Sequence, residues 1–307
     1  MGKGYTIQSN TLQACPLESA SIIVFDQPGP EKKEWLTQTW GISYHTLESA
    51  LDPSSGARIE FEDDHIAIVL NLPKNYSQNE KLLFGVHTMG MFLVSEKLII
   101  VHPSEDLKID EGSRHHKIDD PLDVMLRIFS GAIRHFSDHL KVIAQISESL
   151  EKKGTGSVAN EYLMGMFALE KSLVYYLAAL GANTTLLEKL KGNARRLKFD
   201  EDHLDFLDDL LIDIRQANRL AEIYSNILNN LMEARGSIVN NTMNQLIKRL
   251  TIISVVLMPL NLIAGIGGMS EFTSMTGSLP LWISYPSLVL GLGIIGWITY
   301  RILKRLS

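Results

Sequence analysis

The sequence is poor in cysteine and in the motifs of enzymes. One cysteine, Cys15, occurs in 307 residues, which excludes an internal disulfide framework and suits a reducing compartment. The first ten residues have no apolar core after a basic start, so we expect no secretory signal. We find neither a phosphate-binding glycine loop nor a convincing set of nucleophile, base and oxyanion donors. We therefore expect neither an ATP site nor an enzyme.

An excess of positive charge is also absent. The chain has 29 Lys and Arg against 35 Asp and Glu, a formal net charge of −6. This balance argues against nucleic acid as a partner and is compatible with cations.

Charge is missing altogether from two stretches near the C-terminal end. Residues 251–268 are eighteen residues without Asp, Glu, Lys or Arg, and residues 281–300 are twenty. At ~1.5 Å per residue, the second stretch spans about 30 Å, the thickness of bilayer hydrocarbon. A buried soluble helix of this length usually keeps a polar stripe. We therefore predict two C-terminal transmembrane helices in a multi-pass membrane protein.

The positive charges predict the orientation of these helices. Basic residues lie on only one side of each stretch, at Lys248, Arg249, Arg301, Lys304 and Arg305. The connecting segment 269–280 contains no Lys or Arg. Because short cytoplasmic segments are enriched in Lys and Arg, we expect both termini in the cytoplasm and the loop outside.

The soluble region has an α/β beginning and a helical continuation. Five segments rich in β-branched and aromatic residues read as strands of a mixed sheet: Ser21–Asp26, Ala57–Phe61, His65–Leu72, Leu82–Val94 and Lys97–Val101. Apolar spacing predicts five helices: Glu31–Gly41, Tyr44–Leu51, Pro121–Lys152, Ser157–Leu180 and Thr185–Leu197. Glycines at Gly154–Gly156 and Gly181 predict breaks between the last three.

One further helix is predicted from Asp202 to Gly267. Its 66 residues would extend about 100 Å, which is too long for a compact monomer and suggests contact with copies of itself. Gly236 weakens such a helix by only ~1 kcal/mol. Pro259 frees a carbonyl one turn earlier, near Val255.

The membrane end of this helix has a polar side. Steps of three or four residues place seven residues on it: Asn244, Ile247, Thr251, Ser254, Met258, Asn261 and Gly265. Apolar residues occupy the other sides: Ile252, Ile253, Val256, Leu257, Leu260 and Ile263. Such a polar stripe avoids lipid. It fits either tight helix packing or a water-filled path, and several chains would be needed to enclose that path.

Three motifs in and around this helix resemble one protein family. Asn244-Gln-Leu-Ile-Lys-Arg-Leu-Thr251, Met258-Pro259-Leu260 and Ile263-Ala264-Gly265-Ile266 are similar to the first membrane span of CorA-type divalent-cation channels. More loosely, His45–Pro53, His65–Leu72 and Lys97–His102 resemble the cytoplasmic domain of that family. The resemblance implies a funnel-shaped homopentamer in the cell (inner) membrane, with an α+β cytoplasmic domain, a long stalk helix and the first span lining the pore.

The resemblance also implies roles for individual residues. Asn244, Ile247, Leu250, Met258 and Asn261 fall at pore-lining positions, and Ile247, Leu250 and Met258 would be hydrophobic constrictions. The family signature Gly-Met-Asn reads Gly268-Met269-Ser270 here. The shorter Ser270 side chain would leave a wider ring at the mouth. Glu271, the only acid of the outer loop, is either the neighbour that concentrates cations or a solvated loop charge.

Regulation by bound cations is a further expectation from the family. Asp202, Asp205, Asp209 and Asp213 share one helix face, and Asp209 falls at the position of the stalk carboxylate. A solvated acidic face at a helix start would look the same. The partner carboxylate is expected within Asn71–Glu80, where only Glu80 is acidic. His135 and His139, one helical turn apart, could bind zinc but have no clear third ligand.

The prediction is thus a passive, electrically driven divalent-cation transporter, with magnesium as the first substrate and possible regulator and with no resident cofactor. Zinc, cobalt or nickel transport, with or without proton coupling, is the alternative within the superfamily. A membrane-anchored sensor or scaffold is the alternative outside it. The predicted regions are 1–118 (α/β), 119–200 (helical), 201–268 (stalk and first span), 269–280 (loop), 281–300 (second span) and 301–307 (basic tail).

Overall fold

The structure, a computed structural model, describes residues 2–8, 10–74, 83–103, 117–153, 159–267, 274, 277 and 280–306. The chain divides into two compact units, Met1–Met232 and Glu233–Ser307. Each unit is described separately below.

The first unit is built on a seven-stranded mixed sheet. Its strands are β1 (Lys3–Gln8), β2 (Thr11–Cys15), β3 (Ile22–Asp26), β4 (Arg58–Phe61), β5 (Ile66–Pro73), β6 (Val86–Val94) and β7 (Lys97–His102). They lie in the order β2-β1-β3-β7-β6-β5-β4. Only the β3–β7 pair is parallel among the described pairs. The predicted mixed sheet is therefore confirmed.

Strands β1 and β2 were not predicted. They form an antiparallel hairpin at the edge of the sheet, with Gly4 opposite Cys15. Most of their side chains are half-buried or exposed. Since neither strand buries an apolar run, the hydrophobic signal that identified the central strands is weak here.

Two short helices cover one face of the sheet. Helices α1 (Pro30–Trp40) and α2 (Tyr44–Leu51) bury Leu36, Leu47 and Ala50 in a core shared with alternate residues of the central strands. A Cβ added at Gly90 of β6 would lie 2.9 Å from that of Ala50, so Gly90 permits the close approach of α2.

Three long helices contribute to the core on the opposite face. Helices α3 (Pro121–Lys153), α4 (Ala159–Gly192) and α6 (Glu201–Gly267) share one hydrophobic cluster with the sheet, in which Met91, Phe129 and Leu207 are fully buried. Asn183 of α4 ties the layers together because its side chain bonds to both the N–H and the C=O of Asn71 in β5.

The predicted helix break at Gly181 is wrong. Helix α4 continues to Gly192, and a short helix α5 (Ala194–Leu197) follows. A mid-helix glycine costs only ~1 kcal/mol, and the turns after it bury Leu186, Leu187 and Leu190 in the core. Burial of these leucines outweighs the weak propensity of glycine.

The second unit contains the end of α6 and helix α7 (Leu281–Leu306). Helix α6 is a single element of 67 residues that includes both Gly236 and Pro259, as predicted. Helix α7 continues beyond the apolar stretch that ends at Tyr300, through the basic residues that follow it.

Candidate ion pathway and metal centres

Helix α6 turns one side towards α7 within the second unit. A methyl group added at Gly296 of α7 would lie 3.3 Å from Cδ1 of Leu260. The half-buried residues of this part of α6 recur at helical spacing: Ile252, Val256, Pro259, Leu260 and Ile263. At about 100° per residue these five residues form one side of the helix, which is the side covered by α7.

The five predicted pore residues lie on the opposite side and are exposed. Ile247, Leu250 and Met258 are 54%, 63% and 71% exposed, and Asn244 and Asn261 are also exposed. Helix α7 therefore leaves the whole polar stripe uncovered. The predicted selectivity segment, Gly268, Met269, Ser270 and Glu271, lies outside the described residues.

An exposed apolar seam runs beside the polar stripe. Its members are spaced alternately by four and three residues: Val239, Met243, Leu246, Leu250, Ile253 and Leu257. On the other flank of the stripe, Val255 and Leu262 are exposed as well. A 4-3 spacing of apolar residues is typical of helices that pack against other helices. Sequence reasoning missed this seam, although the spacing is legible in the sequence.

Among the described residues, length and composition alone mark three helical segments as candidate membrane spans. These are Leu163–Gly192 in α4, Glu201–Gly265 in α6 and Trp282–Leu303 in α7. The apolar window of the first is 39% buried inside the protein, whereas none of the other two windows is buried. The apolar residues of α4 serve the core of the first unit, and the two C-terminal segments remain as surfaces that need an apolar environment.

The acidic residues at the start of α6 do not converge on a site within one chain. Asp202, Asp205, Asp209 and Asp213 are all exposed. Across the described residues, none of them belongs to a group of three or more acid or histidine ligands with metal-like spacing. Glu80 lies outside the described residues. Their regulatory role stays a prediction.

The predicted histidine pair is one of two close imidazole pairs, in which His102 is buried and the other three rings are half-buried. Nε2 of His135 lies 3.1 Å from Nε2 of His139, whose Nδ1 contacts the Tyr176 hydroxyl at 2.5 Å. A second pair, His87 and His102, lies on the sheet face that carries α3, with its Nε2 atoms 3.2 Å apart. Among the described residues neither pair forms a three-ligand metal group.

Burial dominates the protonation of these imidazoles. It lowers the pKa of His87 to about 4, with help from His102, His135 and Lys74. It also lowers the pKa of His139 to about 4, with His135 acting in the same direction and Asp138 opposing. Both rings are therefore neutral at pH 7.

A carboxylate–histidine cluster joins the beginnings of α3 and α6. Nε2 of His203 lies 3.4 Å from Oδ1 of Asp120 and 3.3 Å from Oδ1 of Asp123. Nδ1 of the same ring lies 2.6 Å from Oδ1 of Asp200. Asp123 and His203 are buried, at 6% and 5% exposure. Within the described residues this is the group of three acid or histidine side chains whose ligand atoms come within metal-binding distance of one another.

The carboxylates determine the protonation of this cluster when it holds no ion. Interaction with Asp120, and then with Asp123, raises the pKa of His203 to about 10 although burial opposes the shift. Burial works to raise the pKa of Asp123, but His203 and the backbone N–H groups of Asp119 and Asp120 outweigh it and lower that pKa. Sequence reasoning missed this cluster, because Asp120 and His203 are separated by more than two helices.

An α/β unit followed by two exposed apolar helical segments, one with a polar stripe, defines a membrane protein of the ion-transport class. Residues 18–305 match the family described as "CorA-like Mg2+ transporter protein". The chain belongs to this family, which confirms the recognition made from the sequence.

Known relatives show the same kinship over nearly the whole chain. The chain is 26% identical over 283 residues to the cobalt/magnesium transport protein CorA of Methanocaldococcus jannaschii, covering 88% of this chain and 86% of that protein. It is 24% identical over 273 residues to the protein of that name from Thermotoga maritima, covering 87% and 76%. Its fold matches the complete structure of the CorA magnesium transporter from Methanocaldococcus jannaschii with a TM-score of 0.78 at 23% identity, over 100% of this chain and 97% of that one.

Proposed function

We propose that this chain forms a homopentameric channel that moves divalent cations, magnesium first, down their electrochemical gradient. The ends of five copies of α6 surround a water-filled axis, and α7 faces the lipid. The channel lies in the inner membrane, and both termini of each chain are in the cytoplasm. The observation that carries this proposal is the uncovered polar stripe of α6, which lies opposite the side covered by α7.

A bilayer makes that stripe costly in a single chain. Asn261 is exposed, and the apolar segment of α6 that contains it has no buried residue in its most apolar window. An amide that faces lipid lacks hydrogen-bond partners. A ring of helices places the amides on a wet axis instead. The seam residues Leu246 and Ile253 on one flank, and Val255 and Leu262 on the other, supply the apolar contacts between neighbouring helices.

The proposed pore combines apolar and polar rings. Ile247, Leu250 and Met258 form constrictions that close by excluding water. Asn244 and Asn261 offer amide oxygens to the water shell of the ion. Magnesium keeps several of its waters, so uncharged polar rings suit a hydrated ion better than direct carboxylate ligands.

The outer mouth consists of Gly268, Met269, Ser270 and Glu271. Five Ser270 hydroxyls accept hydrogen bonds from the hydrated ion through a wider ring than the Asn of the family signature would form. Five Glu271 carboxylates concentrate cations at the mouth. The driving force is electrical, since a divalent ion gains roughly 4.6 kcal/mol per 100 mV on entering a negative interior.

Cytoplasmic regulation is proposed for the acidic face of α6. Asp209, with Asp205 and Asp202, would bind a divalent cation together with residues of a neighbouring subunit, since all three are exposed in the single chain. The relatives named above carry cobalt and magnesium in their names. Zinc or nickel transport and a non-conducting scaffold are outcomes that the experiment below distinguishes.

Ion flux into liposomes tests the proposal. Purified protein is reconstituted with a magnesium-sensitive dye inside, and an interior-negative potassium diffusion potential is imposed. Met258→Trp should reduce magnesium influx at least ~10-fold because it fills a constriction. Leu290→Trp introduces the same bulky residue at a 66% exposed position of α7 and should leave influx unchanged.

Other outcomes have definite meanings. Equal flux in Met258→Trp and wild type would remove Met258 from the pore. Flux of zinc, cobalt or nickel without magnesium would reassign the substrate. A folded wild type that conducts none of the four ions would support the scaffold instead.

A further inference from the structure

We propose that Asp120, Asp123 and His203 form a binding site for a borderline divalent cation such as zinc or cobalt, with Asp200 as the residue that orients the histidine. The site lies inside the first unit, where the beginnings of α3 and α6 meet. It uses none of the residues of the proposed pore or of the acidic face of α6, although His203 directly follows Asp202.

The orientation of the imidazole is the first argument. The short contact of 2.6 Å between His203 Nδ1 and Asp200 Oδ1 places a proton on Nδ1. Nε2 then faces two carboxylates, and in the ion-free protein a proton on Nε2 occupies the position that a cation would take. Nε2 is buried, and the two carboxylate oxygens contact it at ion-pair distance rather than in well-formed hydrogen bonds. A carboxylate–histidine–metal arrangement has the same chemistry, because the carboxylate sets the tautomer and raises the basicity of the coordinating nitrogen.

The distances around Nε2 are the second argument. Charge-assisted N–H···O bonds are ~2.7–2.9 Å long, whereas Nε2 lies 3.3 Å and 3.4 Å from the two carboxylate oxygens. With zinc–nitrogen and zinc–oxygen bonds of ~2.0–2.2 Å, the edge of a ligand tetrahedron is about 3.4 Å. Nε2 thus has the separation from each carboxylate oxygen that tetrahedral ligands have, and the three ligand atoms lie within 4.8 Å of one another.

Local hydrogen bonds fix both carboxylates in place. Oδ2 of Asp123 accepts from the backbone N–H groups of Asp119 and Asp120, at 2.8 Å and 3.1 Å. Oδ1 of Asp120 accepts from the N–H groups of Leu122 and Asp123, at 2.7 Å and 3.0 Å. Ligands held before an ion arrives lose little conformational entropy on binding.

Charge and ligand type define the class of ion. Three carboxylates surround one imidazole, so a divalent cation offsets two negative charges where a proton on Nε2 offsets one. An imidazole ligand favours zinc, cobalt or nickel over magnesium, which prefers six oxygen ligands. Three protein ligands leave a fourth position for water.

Cobalt absorption provides the test on the full-length protein in detergent. After chelator treatment, Co²⁺ is titrated in, because four-coordinate Co²⁺ absorbs visible light far more strongly than the six-coordinate hydrated ion of a pore. We expect one equivalent of the intense species per chain. Asp123→Asn, which retains an oxygen for the backbone N–H groups, and His203→Gln should each weaken binding at least ~100-fold. Asp200→Asn should weaken it ~10–100-fold.

Matched variants and a second measurement complete the test. His45→Gln, at an exposed histidine of α2, and Asp138→Asn, at an exposed acid of α3, should leave the cobalt spectrum unchanged. X-ray absorption of the zinc-loaded wild type should show one imidazole and oxygen ligands at ~2.0–2.2 Å, a result that needs no variant to fold. Absence of the four-coordinate spectrum in wild type, or an undiminished spectrum in folded His203→Gln, would overturn the proposal and leave the cluster as an ion pair.

Discussion

At the scale of single residues, the Asn183 side chain makes the two hydrogen bonds that a neighbouring strand would otherwise make to Asn71. Strand β4 pairs with β5 only as far as Val69, so none of the described strands pairs with the outer edge of β5 at Asn71. The side-chain oxygen of Asn183 accepts from the Asn71 N–H at 3.0 Å, and its amide donates to the Asn71 carbonyl at 2.9 Å. Asn183 is 1% exposed, so water cannot take over these bonds.

Asn183→Ala should therefore destabilise the first unit markedly. Two buried backbone groups would lose their partners, at a cost of about 2–3 kcal/mol. Thr185→Ala on the same helix removes only an exposed bond to the preceding turn and should be nearly neutral. Thermal unfolding of the detergent-solubilised protein compares the two. Similar midpoints for both variants would contradict this account of Asn183.

The two neutral histidines, His87 in β6 and His139 in α3, predict that the stability of the first unit depends on pH. The folded-state pKa values of His87 and His139 are about 4, against ~6.5 in an unfolded chain. The unfolded chain therefore binds more protons between these values. Stability should be complete above about pH 6.5 and should fall towards pH 4, by up to about 1.4 kcal/mol per pH unit for each such histidine.

Replacing both histidines tests that slope. The double variant His87→Gln and His139→Gln should unfold at midpoints that vary less between pH 6.5 and 4 than those of wild type. His102, His135, Lys74 and Asp138, the charged or titratable neighbours of the two rings, remain in place. Exposed His45→Gln is the control and should retain the wild-type slope. If the unfolding midpoint of the double variant changed with pH as much as that of the wild type, groups other than these two histidines would cause the acid sensitivity.

At the scale of elements, the seam on α6 predicts where subunits touch. Its residues from Val239 to Leu257 are about half exposed in the single chain, and a 4-3 spacing of apolar residues is typical of helices that pack against other helices. Leu246→Glu should therefore weaken the oligomer, because each subunit of the proposed pentamer would bring one charge into the packed contacts. Gln245→Glu adds the same charge one residue away, off the seam, and should leave the assembly intact.

Native mass spectrometry in detergent provides the measurement for this pair. We expect the wild type and Gln245→Glu to retain one oligomeric mass and Leu246→Glu to show smaller species. Dissociation of both variants, or of neither, would contradict the assignment of the seam as a subunit contact.

Elements also show where the sequence was informative. The central strands and α6 were predictable because each combines a strong apolar period with clear turn residues. Hairpin β1–β2 was not, since its burial is slight, and the continuity of α4 through Gly181 depends on leucines whose burial is a tertiary fact. The candidate pore residues came from motif likeness, whereas Asp120 and His203 meet only once α3 and α6 are placed.

At the scale of the whole molecule, membrane topology is the property that the proposal most needs. The basic residues beside the two apolar segments and their absence from 269–280 predict that the outer loop and the first unit lie on opposite sides of the membrane. The single Cys15 makes this testable, because Cys15→Ser yields a chain without cysteine. New cysteines can then be placed at Asp63, in the exposed β4–β5 turn, and at Ser274, exposed in the outer segment.

Labelling with a membrane-impermeant maleimide should give opposite results for the two cysteines. In intact cells Ser274→Cys should react and Asp63→Cys should not, and in inside-out vesicles the pattern should reverse. Because short basic segments resist translocation, replacing Lys248 and Arg249 with Gln should leave some chains inverted, with both cysteines reactive in intact cells. Reaction of Asp63→Cys in intact cells without that replacement would place the first unit outside. Influx through the proposed pore would then begin at the end of α6 that carries Asp202, Asp205 and Asp209 rather than at the proposed mouth.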